Sequence, residues 1–132
     1  MRVTFDNPES VPPPPRPVYS HTALVTPGPL LYVSGQVALD ENGRIDAPGD
    51  MKRQAEVTFA YIGKILAAHG AGFADIVKIQ TFVTDIDLLS DYVAGREPFL
   101  KDHRPVSTTV EVSRLFHPDA LLEVELVAVP GA

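Results

Sequence analysis

The residues best placed to do chemistry lie near the C-terminus, in RPVSTTVEV (Arg104 to Val112) and LLEVELVAV (Leu121 to Val129). Both alternate strictly, and alternation along a strand sends successive side chains to opposite faces. Read by parity, Ser107, Thr109, Glu111, Glu123 and Glu125 share one face. Carboxylates crowded into a cleft raise one another's affinity for protons, and a carboxyl tuned in this way serves as a general acid or base. The alternative is that they meet Lys78, Arg44 or solvent at a rim. No two of the histidines, His21, His69, His103 and His117, stand three or four residues apart on one helix, so no metal site is expected. The chain has no cysteine, which removes thiolate ligands, disulfides and thiol nucleophiles.

The bulk numbers bound what such residues can serve. A chain of 132 residues, 45% hydrophobic and 21% charged, suits one globular domain with its own core. A formal net charge of −6 disfavours nucleic acid as a main partner, because phosphate binding needs clustered cations. No apolar run reaches the length of a membrane span and no secretory signal is recognisable, so the expectation is a cytoplasmic protein with no membrane partner.

The elements that must position these residues can be read from periodicity. MRVTFDNPESVPPPPRPV, residues 1–18, has four successive prolines and reads as a polyproline arm ahead of a domain over residues 19–132. Tyr19 to Val25 and Leu30 to Leu39 read as the strands of a hairpin, with turns at TPGP (Thr26 to Pro29) and DENG (Asp40 to Gly43). Gly35 inside the second strand marks either a bulge or a close approach to the backbone. Asp50 is placed to cap a helix carrying Ala55, Phe59, Ile62 and Leu66 on one face and ending at Gly70. A strand over Asp75 to Thr84 follows.

A second helix begins near Asp87 with the stripe Leu89, Tyr92, Val93, Arg96, Phe99 and Leu100, and Pro98 predicts a kink or a broken turn near Ala94 to Pro98. Arg96 on that stripe reads as an apolar stem with its head at the surface. Two final strands, joined by FHPDA (Phe116 to Ala120), complete the order ββαβαββ. This is an α+β sheet with two helices on one face. The uncovered face would carry Tyr32, Ala38, Phe82, Val127 and Val129, too apolar for bare surface, which predicts an oligomer with a ligand cleft along the subunit boundary.

YVSGQVALDENGRI, QAEVTFAYIGKILAAHGAGFADIVKIQTFVTDI, RPVSTTVEV and LLEVELVAV together resemble the YjgF/YER057c/UK114 family, also called the Rid family of reactive-intermediate deaminases. The resemblance runs from about Tyr19 to Val129. It implies a chorismate-mutase-like protomer, a homotrimer whose sheets line a central barrel, and small-molecule sites in clefts between protomers. The implied activity is hydrolysis of imines and enamines to a keto acid and ammonia, without cofactor or metal. Tyr19 matches a substrate-side tyrosine, Ser34 and Gly35 match the family's SGQ at the ligand, and Glu123 matches the glutamate that positions the attacking water. The family motif PARSCVEV places Ser107 where an arginine holds the substrate carboxylate and Thr109 where a cysteine stands.

Removing one partner of a desolvated ion pair costs about 2 to 5 kcal/mol, or roughly 30-fold to several thousand-fold in recognition. A 2-imino acid would therefore be a poor substrate unless Arg104, Arg96 or Arg114 replaces the missing cation. The resemblance leaves three functions to separate: an imine or enamine hydrolase, a metabolite-binding trimer without turnover, and an endoribonuclease. The last needs a basic groove that the composition does not promise.

Overall fold

The computed structural model describes residues 3–26 and 28–131. Pro27, in the turn expected at Thr26 to Pro29, lies outside the described residues. Six strands and two helices follow in the order β1 (Val3–Asp6), β2 (Thr22–Val25), β3 (Leu31–Gln36), α1 (Met51–Ala68), β4 (Ile76–Val83), α2 (Leu89–Leu100), β5 (Val106–Glu111) and β6 (Leu122–Ala128). From β2 onward this is the expected ββαβαββ order. Helices α1 and α2 pack together over a four-stranded sheet with the strand order β3-β6-β4-β5. Its β4–β5 pair is parallel and the other pairs are antiparallel.

Local chemistry sets both helices. Asp50 is extended and its side chain accepts from Arg53 N at 3.0 Å, satisfying a donor in the first turn of α1. At the other end Gly70, at φ +68°, turns the chain so that Ala71 N returns to Leu66 O at 2.9 Å. Ala55, Phe59, Ile62 and Leu66 are fully buried against Ile79, Val83, Leu122 and Val124 of the sheet. Each large apolar side chain in this layer contributes about 1.5–3 kcal/mol.

Helix α2 is continuous through Pro98, so the chain makes no broken turn there. Pro98 lies in the last turn, so only the bond back toward Ala94 is forfeited, and the packing of α2 on α1 opposes that loss. The packing is close at Gly95, where a methyl group would stand 2.6 Å from Lys52 O and 2.7 Å from Ala55 Cβ.

The N-terminal segment is more than an arm. β1 pairs antiparallel with β2, from Val3↔Val25 to Asp6↔Thr22, so β2 takes β1 as its partner and not β3. Val3 and Phe5 with Ala23 and Val25 pack on Val77 and Val129, forming a second small core. Val129, expected on an open face, is accordingly buried, and Ala38, expected there too, is also buried. Tyr32, Phe82 and Val127 remain at least partly exposed.

Strand register decides which side chains can meet. Ser107, Thr109 and Glu111 lie level with Ile79, Thr81 and Val83 of β4, which lie level with Leu126, Val124 and Leu122 of β6. Level residues share a face. Ser107 and Thr109 therefore belong to the helix side, whereas Glu123 and Glu125, level with Phe82 and Gln80, belong to the open side. The single face of five residues expected from parity is thus two faces. Parity is exact within a strand but does not cross a loop, and a shift of one residue reverses every side chain beyond it.

Candidate functional site

The expected site residues fall into two groups on opposite sides of the sheet. The first surrounds a cavity of about 290 Å³ between α2, β5 and the end of the arm. Tyr19, Ser107 and Thr109 line it, with Arg16, Tyr92 and Arg96. Pro17 and Ser20 fix the segment that carries Tyr19. Arg104 Nε donates to Pro17 O at 2.8 Å, Ser20 N donates to Pro105 O at 3.1 Å, and Ser20 Oγ donates to Arg104 O.

Arg96 dominates this cavity electrically. Its side chain is held among buried groups and the residue is 2% exposed, so the expectation of a head at the surface is wrong. Nη1 donates to Tyr92 Oη and to Ser107 Oγ, both at 3.1 Å, and Nη2 donates to Val18 O at 3.2 Å. Tyr92 Oη, which accepts from the arginine, also shares a hydrogen bond of 2.5 Å with Thr81 Oγ1, and Thr81 and Tyr92 are both buried. The guanidinium also sits 5.3 Å from the centre of the Tyr92 ring. These contacts are neutral ones, and among the described residues no carboxylate pairs with Arg96.

The other two candidate cations are engaged or distant. Arg104 stands 3.6 Å from Glu97 Oε2 and holds the arm, and Arg114 is exposed beyond the end of β5. Position 107 therefore has no arginine of its own, but its hydroxyl accepts from one supplied by the helix. Arg16, exposed at the mouth and donating to Ser90 Oγ at 3.3 Å, is a second cation that sequence reasoning passed over. The signal for Arg96 was available, since it lies four residues after Tyr92 on a stripe that is otherwise apolar.

The second group lies on the open side. Ser34 lines a groove of about 440 Å³ with Tyr32, Lys78, Gln80 and Glu125. Gly35 sits where the β3–β6 register slips between Val33 and Gln36, so it marks a bulge. It also permits a close approach, since a methyl group at position 35 would lie 1.8 Å from Glu123 Oε2. Both readings of Gly35 hold, although the neighbour that needs the space is Glu123. Glu111, on the first face, is taken up structurally, accepting from Ile86 N at 3.0 Å.

Gln54 fixes the approach to β6. Buried in α1, it donates to Ala47 O and Asp119 O at 3.1 Å and accepts from Leu121 N at 2.9 Å. This pins the loop before Leu122 and sets where Glu123 emerges. Among the described residues no three metal-ligating side chains gather, and no helix is long and apolar enough to cross a membrane.

Comparison with known proteins agrees with this architecture. The model of a family described as endoribonuclease L-PSP matches residues 10–130. A RutC family protein of Sulfurisphaera tokodaii is 32% identical over 117 residues, covering 89% of this chain and 93% of its own. TdcF of Escherichia coli K12, described as a candidate reactive intermediate deaminase, is 30% identical over 109 residues, covering 80% and 82%. A crystal structure of Escherichia coli TdcF with bound serine superposes with a TM-score of 0.69 at 30% identity, covering 80% of this chain and 84% of that one. The structure of YyfB from Yersinia pestis, described as a protein of unknown function of the Rid family, has a TM-score of 0.86 at 27% identity and covers 97% and 98%.

Proposed function

The chain belongs to the Rid (YjgF/YER057c/UK114) family, and on that premise we propose that it is a cofactor-independent hydrolase that deaminates a small imine or enamine in a cleft assembled between subunits. The observation that carries this reading is the division of the site. The cavity of Tyr19, Ser107 and Thr109 opens on one side of the sheet, and Glu123, held against Gly35, lies on the other. One protomer offers two half-sites facing apart, and a second copy completes each. The partly exposed Tyr32, Phe82 and Val127 on the open face support the same assembly, which we take to be a homotrimer.

In this mechanism the substrate occupies the cavity with its C=N carbon toward the neighbouring subunit's Glu123. That carboxylate accepts a proton from a water as the water oxygen bonds to carbon, and the imine nitrogen takes up a proton. The hydroxyl proton of the resulting carbinolamine passes to its amino group, and the C–N bond breaks to release ammonia as the C=O bond forms. The net change is imine plus water to carbonyl compound plus ammonia, so no redox partner is needed. Tyr19, Ser107 and Thr109 supply hydrogen bonds that orient the substrate, while Ser34 and Gly35 shape the wall beside Glu123. The protein acts in the cytoplasm, with no nucleic acid or membrane as partner.

The test is ammonia release from freshly generated 2-iminopropionate by the native assembly, beside Glu123→Gln. Removing the base should slow hydrolysis by about 10²–10⁴-fold while sedimentation still reports a trimer. Spontaneous rates with the native trimer on both this imino acid and an imine lacking the carboxylate would reject the hydrolase, and an undiminished Glu123→Gln would reject Glu123 as its base. A second reading, a trimer that holds a small metabolite without turnover, is favoured by the hydroxyls of Ser107 and Thr109, which provide neither charge nor nucleophile. It predicts saturable binding without ammonia.

A further inference from the structure

We infer that Arg96, carried by helix α2 and positioned by Ser107 and Tyr92, is the receptor for a small carboxylate in this chain. It does the work for which position 107 holds no cation. The inference rests on the site proposed above but not on turnover there.

The argument begins with what a buried guanidinium requires. Taking a charge out of water is costly, and a buried cation is tolerated when an anion and a full set of acceptors meet it. Arg96 has five N–H donors, of which three are engaged, by Tyr92 Oη, Ser107 Oγ and Val18 O. Nε is buried and has no partner among the described residues. Nε and Nη2 share one edge of the guanidinium plane, the edge that clasps a carboxylate through two parallel bonds.

The surroundings favour the same ligand. Among the described residues the lining of the cavity beside Arg96 includes Arg16 and no aspartate or glutamate, in a chain whose formal charge is −6. At about 290 Å³ the cavity suits a molecule of a few heavy atoms. The three engaged donors also make Arg96 a fixed group: the Thr81–Tyr92 pair and the Ser107 hydroxyl hold its plane before any ligand arrives. Preorganisation of this kind favours a planar, bidentate anion over a freely rotating one.

The experiment uses pyruvate, a stable 2-oxo acid, and pyruvamide, its neutral amide, with the native full-length assembly. Titration calorimetry should show pyruvate binding at least about 30-fold more tightly than pyruvamide. In ¹⁵N spectra the Arg96 Nε–H signal should shift on adding pyruvate and stay in place on adding pyruvamide. Arg96→Lys keeps the charge and loses the fork, and should lose most of the preference. Ser107→Arg introduced into an Arg96→Gln chain should restore it by supplying the cation from the strand.

Equal affinity for acid and amide, or an Arg96 Nε–H signal indifferent to pyruvate, overturns the inference. Both readouts use the native protein and so stand even if the Arg96 variants fail to fold. Competition by inorganic phosphate stronger than by pyruvate would assign the site to another anion and also overturn it. Carboxylate preference without ammonia release would reject only the hydrolase, and ammonia release without carboxylate preference would reject only the role of Arg96.

Discussion

Replacing Gly35 by alanine tests whether the bulge in β3 exists to seat the Glu123 carboxylate. The added methyl would lie 1.8 Å from Oε2, 2.6 Å from Cδ and 2.8 Å from Cγ of Glu123. Ordinary contact needs a separation of about 3.4 Å or more, so the carboxylate must retreat by roughly 1.6 Å. Overpacking of this kind costs about 1–2 kcal/mol when a partly exposed side chain can absorb part of it. Glu123→Ala removes the obstacle, and alanine in place of a strand glycine is then favourable by about 0.5–1 kcal/mol.

The two substitutions should therefore be coupled by roughly 2 kcal/mol. At a urea slope of about 2 kcal/mol per molar, that is a relative shift of about 1 M between the midpoints in the two backgrounds. Hydrolysis supplies an independent reading, since a displacement of more than about 1 Å in an orienting group can cost 10²-fold in rate. If Gly35→Ala lowers the midpoint equally with and without Glu123, and hydrolysis is undiminished, the close approach has no bearing on the site and the reasoning fails.

Gln54→Ala should lower stability by about 2–4 kcal/mol in chemical denaturation, because Ala47 O, Asp119 O and Leu121 N lose a buried partner together. Gly95→Ala should cost about 1–3 kcal/mol, since its methyl meets Lys52 O at 2.6 Å and α2 must move off α1; an unchanged melting temperature would show that the two helices are not so closely seated. Asp40 accepts from Arg44 N at 3.0 Å and Asn42 N at 2.8 Å, and the Arg44 N–H holds its carboxyl below the ordinary value of 3.8. A lowered folded-state pKa stabilises the fold above 3.8 and loses that contribution as pH falls through the folded value. Asp40→Asn should accordingly be less stable than the native chain at pH 7 and converge with it under acid conditions, which parallel melts at several pH values would show.

How much was legible depended on whether the signal was local. Helix α1 was readable to within a residue because Asp50, its apolar stripe and Gly70 all act inside one element. The family was readable for the same reason, since its motifs are contiguous runs. β1 was hidden because four residues beside a proline-rich run do not announce a strand, and pairing with β2 needs a return over fifteen residues. The division of Ser107 and Thr109 from Glu123 was hidden because it depends on β4, the strand between them. The burial of Arg96 was obscured by its type. An arginine on an apolar stripe ordinarily reaches water, and only the non-local acceptors Val18 O and Ser107 Oγ make its place inside tenable.

Positions 96 and 107 are best understood together. Their side chains meet at 3.1 Å, so an arginine at both would bring two guanidinium groups to one cavity with no acid among the described residues of its wall. Two unit charges about 4 Å apart repel by roughly 4 kcal/mol at an effective dielectric of 20, a large fraction of the stability of a domain this size. A serine at 107 removes that repulsion and contributes an acceptor that orients the helix arginine. Serine on β5 and arginine on α2 are therefore two parts of a single arrangement. The cavity holds one buried guanidinium, supplied by the helix and oriented by the strand.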